Sequence, residues 1–129
     1  MSLSLPILVA IPKEWSLFVC DHLKNLKFSV VASYSRKETF EMVQKQKEFL
    51  CAIIVSDWVM PNQNNDTDSI IKLLRDKTPT VTIITESSRL ESGYQYMDEV
   101  FFPPNHEYVT SPFDMEEVLA RLRNMGITA

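Results

Sequence analysis

Apolar residues follow two rhythms along this chain. Short unbroken runs, PILVAI (6–11), CAIIVS (51–56) and TVTIIT (80–85), alternate with longer stretches where apolar residues recur every three or four positions. Unbroken runs of this length read as strands covered on both faces, and the three-to-four spacing reads as amphipathic helix. FSVVASY (28–34), short and β-branched, is a fourth strand. In KEWSLFVCDHLKNL the spacing places Trp15, Phe18, Val19, His22 and Leu26 on one helical face. RKETFEMVQKQKEF places Phe40, Val43 and Phe49 opposite a polar face. DTDSIIKLLRDK predicts a helix with Ile70, Ile71 and Leu74 inward and Asp66 or Thr67 as N-cap.

The stretch 86–107 is less regular. Ser87 or Ser88 suits a helix cap, but Gly93 interrupts the periodicity and FFPPN stops any regular element. EYVTS (107–111) then reads as the last strand, with DEVFF as a competitor. FDMEEVLARLRNMG closes the chain as a well-punctuated helix. Asp114 is its N-cap and Glu117 stands at capping-box spacing. Met115, Val118, Leu119 and Leu122 face inward, Arg121 and Arg123 lie near the negative end of the dipole, and Gly126 ends it.

Strand and helix therefore alternate along the whole chain. That predicts one α/β domain, a five-stranded parallel sheet with helices on both faces in flavodoxin-like (βα)5 order 2-1-3-4-5. In such sheets chemistry gathers past the carboxyl ends of the strands. Asp57 lies there, at the end of the third strand, and Ile11 and Pro12, just past the first, are its expected neighbours.

Composition narrows the function classes. With 129 residues, a net charge of −4 and 45% apolar residues, the chain has an ordinary globular make-up and length for one core. Its lysines and arginines are scattered, which argues against nucleic-acid binding by this domain. No apolar run is long enough to span a bilayer, and no charged segment leads into an apolar one as in a signal peptide. Cys20 and Cys51 are too few for a disulfide scaffold and read as small buried hydrophobes in a reducing cytoplasm. MSLS at the start carries no structural weight.

Three segments in order resemble the response-regulator receiver domain of two-component signalling, over about residues 6–126. IIVSDWVMPN resembles the strand that ends on the phospho-accepting aspartate and its Met-Pro turn. TVTIIT ends on Thr85, where the family has its signalling Thr or Ser. SPFDMEEVLARLR resembles the Lys-Pro-Phe segment and the last helix. The resemblance implies a phosphorelay role, Asp57 at the acceptor position, Thr85 and Tyr108 at the switch positions, and a histidine kinase or effector domain as partner. It also implies a homodimer surface on the side of the fourth helix, fifth strand and last helix. Tyr94 and Tyr96, in the aromatic segment YQYMDEVFF, are interface candidates there.

The chain departs from the family where the chemistry is concentrated. The family's pair of metal-holding acids after the first strand is replaced by Ile11 and Pro12, and its lysine by Ser111. Between Thr85 and Ser111 the chain is a few residues longer than the usual pattern. Attack of a carboxylate on a phosphoryl group brings two anions together, so catalysis is positioning and charge neutralisation. Magnesium is usually held by one or two carboxylates and phosphate oxygens. Ile11 and Pro12 offer no side-chain oxygen, and Ser111 offers a neutral hydroxyl in place of a cation. Losing one preorganised charge contact costs ~3 kcal/mol. The expectation is an atypical receiver, a pseudo-receiver, with no cofactor, impaired phosphorylation and no enzymatic activity beyond self-phosphorylation and autodephosphorylation. The alternative is a working phosphoacceptor that binds Mg2+ with Asp57 and substitute ligands Glu14, Asp66 or Asp68. Bland readings stand beside each residue: Asp57 as a turn cap, Thr85 as a β-branched strand end, Tyr108 as a partly buried strand residue.

Other constellations carry less. NQNNDTD alternates side-chain oxygens like half a calcium loop, but Thr67 stands where the turn glycine belongs and Leu73 where the bidentate Glu belongs. Cys20 and His22 point in different directions on a helix, and His106 reads as exposed. No HExxH or paired CxxC is present, so a zinc site is not expected. Only Gly93 and Gly126 occur, too few for a glycine-rich phosphate cradle or a flavodoxin-type cofactor loop.

Overall fold

The computed structural model describes residues 5–45, 48–59, 74, 78–85 and 106–128. In chain order the described elements are β1 (Ile7–Ala10), α1 (Lys13–Asn25), β2 (Val30–Ser33), α2 (Arg36–Lys45), β3 (Cys51–Val55), a helical turn α3 (Ser56–Val59), β4 (Thr80–Ile84), β5 (His106–Thr110) and α4 (Met115–Asn124). The strands form one parallel sheet in the order β2-β1-β3-β4-β5. That is the predicted architecture. The strand β5 follows from EYVTS, one residue earlier than predicted, while DEVFF lies outside the described residues. Among the described residues no helix is long and apolar enough to cross a membrane.

Strand alternation sorts the core into two layers. Ile7, Val9, Ile11, Cys51, Ile53, Val55, Val81 and Ile83 face α1 and α4, where they meet Val19, Leu23, Val118 and Leu122. Leu8, Ala10, Ala52, Ile54 and Ile84 face the other way, toward Val43, Phe49 and Leu74. β1, β3 and β4 are buried at every position, as strands covered on both faces must be. Burial also holds the Cys51 thiol protonated, its pKa pushed up to about 12. Both cysteines are free and buried.

α1 differs from its predicted phase, while α2 keeps its own. α1 turns Ser16, Val19, Cys20 and Leu23 inward, while Phe18 is 57% exposed and Leu17 71%. The same spacing fits two adjacent stripes, and the stripe of smaller side chains faces the sheet; Ser16 Oγ lies 3.6 Å from Cys20 Sγ, so its hydroxyl is not stranded. Trp15 rests at the border, packed edge-on against Phe113 at 5.7 Å. α2 turns Val43 to the core with Phe40 packed beside it, as predicted, and buries Thr39 as well; Phe49 is buried beyond its described end, in the approach to β3.

α4 begins with the predicted capping box: Asp114 Oδ1 accepts from the Glu117 amide at 2.9 Å, and Glu117 Oε1 accepts from the Asp114 amide at 3.3 Å. It closes on Gly126 at φ +85°, with the Ile127 amide donating to the Leu122 carbonyl at 2.9 Å. α1 ends in the same hydrogen-bond pattern, Phe28 N to Leu23 O at 3.1 Å, but with Lys27 in the left-handed position at φ 75°.

Candidate functional site

The parallel order brings the carboxyl ends of β1, β3, β4 and β5 side by side, and the sequence-predicted residues sit on them. At β1, Ala10 is followed by Ile11, which has no exposed surface. Pro12 precedes α1 at φ −54° and ψ 144°, and its carbonyl accepts from the Trp15 and Ser16 amides, each at 3.0 Å. Proline suits this place, since its fixed φ prepares the helix and its missing N–H is not needed there. This strand end is thus closed by apolar atoms and satisfied backbone.

The ends of β3 and β4 differ. β3 runs straight into α3, placing Ser56 fully buried and Asp57 exposed in one helical turn. Thr85, the residue after β4, meets both. Its amide donates to Ser56 Oγ at 3.1 Å, and its hydroxyl donates to Asp57 Oδ1 at 2.9 Å. Trp58, half-buried, packs against both core layers. Past β5, the Ser111 amide donates to the Ile84 carbonyl at 2.9 Å, and the Ser111–Pro112 bond is cis. Tyr108 pairs in register with Thr82 and packs, half-buried, on the α2 side of the core.

Asp57, Thr85 and Ser111 are therefore brought to three neighbouring strand ends. Glu14 lies in the first turn of α1 and lines, with Trp15, Phe18 and Ser111–Phe113, an open groove of about 320 Å3. Asp66, Asp68, Tyr94 and Tyr96 lie outside the described residues. Sequence reasoning missed Ser56, whose only signal is a hydroxyl closing a wholly apolar run, and the bridging position of Trp58. It also misplaced His106. That side chain is half-buried, 2.7 Å from Thr82 Oγ1 through Nε2, and burial lowers its pKa to about 4. Proline-flanked asparagine and histidine suggested a surface loop, but His106 is the first residue of β5 and register sets it beside β4.

A magnesium site needs oxygen ligands at near-octahedral positions. Asp57 supplies a carboxylate here, and the two positions past β1 supply an aliphatic side chain and a proline ring. Among the described residues no three of His, Cys, Asp and Glu come together as a metal site would require. The described donors do not fit a magnesium ion.

No protein-family model matches the chain, and no curated protein sequence matches it. Solved structures are similar. A response regulator receiver protein of Sinorhizobium medicae matches with a TM-score of 0.70 and 16% identity, covering 95% of this chain and 94% of its own. The chemotaxis protein CheY4 of Vibrio cholerae matches with a TM-score of 0.63 and 17% identity, over 95% of this chain and 99% of its own. The receiver domain of a Pseudomonas aeruginosa sensor histidine kinase, solved with a magnesium ion in its active-site cleft, matches with a TM-score of 0.61 and 15% identity over 97% and 100%. At these identities the likeness is one of fold. The chain has the flavodoxin-like receiver fold.

Proposed function

We propose that this chain is a receiver module of two-component signalling that works by protein–protein interaction, with metal-dependent phosphorylation of Asp57 impaired. The reading rests on the receiver fold and on one observation above all: Ile11, fully buried, stands where an acid must hold the metal. A buried aliphatic side chain gives no ligand and no route for one. Ser111 gives no cation to pair with phosphoryl oxygens. On this reading the domain is cytoplasmic, is not an enzyme, needs no cofactor, binds no nucleic acid itself, and takes a histidine kinase or effector domain as partner. A homodimer through the β5 and α4 side belongs to the same reading.

One observation favours the alternative, a working phosphoacceptor. Asp57 is exposed at the carboxyl end of β3, so an incoming phosphoryl donor can reach it. The test is intact-mass analysis after incubation with acetyl phosphate and magnesium. The expected spectrum shows the unmodified chain alone. A ready mass gain of one phosphoryl group, absent in Asp57→Asn, overturns the proposal.

A further inference from the structure

The two hydrogen bonds at Thr85 do more than close a strand end. Its amide is tied to buried Ser56, its hydroxyl to exposed Asp57, and the preceding Ile84 carbonyl to Ser111. The dipeptide at the end of β4 is thus held from the β3 side and from the β5 side at once. Trp58 is the next residue after Asp57 and leans on both core layers. A displacement of Asp57 would therefore be transmitted to both faces of the sheet.

We infer that Asp57 and Thr85 form a latch that holds the carboxyl end of β4 against β3 in a single position without any phosphoryl group, with Asp57 serving as a hydrogen-bond acceptor. The carboxylate accepts a charge-assisted bond, stronger than one between neutral groups. No covalent step is involved. The latch deepens the interaction-module reading by naming what sets the shape offered to a partner, and it rests on that reading only for the partner. It also separates two roles that a phosphoacceptor merges. An amide in place of the acid keeps an oxygen for Thr85 but cannot accept a phosphoryl group.

The experiment compares Asp57→Asn, Asp57→Ala, Thr85→Ser and Thr85→Val by amide hydrogen exchange at residue 85. Trp58 emission is followed in parallel. The chain holds two tryptophans, so emission is read in a Trp15→Phe background. Circular dichroism establishes that each variant is folded. Asp57→Asn and Thr85→Ser are expected to stay within about twofold of the parent rate. Asp57→Ala and Thr85→Val are expected to exchange about fivefold to tenfold faster, as loss of one hydrogen bond to a solvent-facing carboxylate implies. The double variant Asp57→Ala/Thr85→Val is expected to be no faster than either single one, because both remove the same bond. Asp114→Ala, remote at the α4 cap, lowers stability but leaves Trp58 emission alone. Equal behaviour of Asp57→Asn and Asp57→Ala, or additive effects in the double variant, overturns the latch. A phosphoryl mass gain on the parent chain would overturn the proposed function and leave these exchange results standing.

Discussion

The end of β1 and the ends of β3 and β4 lie side by side on one sheet edge, yet they are built in opposite ways. At β1 the chain leaves the sheet through Ile11, with no exposed surface, and a proline. At β3 and β4 it leaves through hydroxyls and a carboxylate that bond one another. Strand position alone does not make a chemical site. A carboxyl edge is reactive only where several strand ends present oxygen or charge together, and here one strand end has been absorbed into the core.

The strongest way to break that contrast is Ile11→Asp, which places an acid at this strand end. If the β1 end is truly core, the variant loses buried aliphatic volume and gains a buried charge. It should lose about 4 kcal/mol of stability by denaturant titration. An Ile11→Asp protein with the parent midpoint that gains magnesium-dependent quenching of Trp58 would show the β1 end to be an open site with a missing ligand.

A second measurement calibrates burial on the same strand. Thr82 bonds His106 as Thr85 bonds Asp57, but His106 is half-buried and its pKa is lowered to about 4. The folded state keeps this histidine neutral, while the unfolded chain takes up a proton below about pH 6.5. Its share of stability is therefore full above that value and is lost as pH falls toward about 4, by at most about 3 kcal/mol. His106→Gln should flatten that part of the profile. An unchanged slope between neutral pH and pH 4 would remove His106 from the account.

Smaller effects belong to the exposed half. Thr85→Val should cost about 1 kcal/mol, since one bond to a solvent-facing carboxylate is lost. Lys27→Gly should raise stability by up to about 1 kcal/mol, because glycine adopts the left-handed turn after α1 without its side-chain penalty. A loss in either direction opposite to these shows up directly in the denaturation midpoint. Magnesium alone should leave Trp58 emission where it is.

Much of this was legible in residues. The unbroken runs marked the buried strands, because a strand covered on both faces has no polar side. The Asp114–Glu117 spacing marked the start of α4, since capping is local. Asp57 and Thr85 could be placed on strand ends from punctuation alone. The phase of α1 could not, because Trp15-Phe18-Val19-His22 and Ser16-Val19-Cys20-Leu23 satisfy the same period. Nor could His106, whose neighbours in sequence suggest a loop while its neighbours in space are β4.

The sequence by itself determined the element order, the parallel sheet, the acid at the end of β3 and the lack of an acid at the two positions just after β1, since periodicity, capping and residue identity are written locally. Only the tertiary structure decided that Thr85 meets Asp57 and Ser56, and that Trp58 packs against both layers. Those facts depend on which strand ends are neighbours and on how closely the helices approach, and residues far apart in the chain settle both.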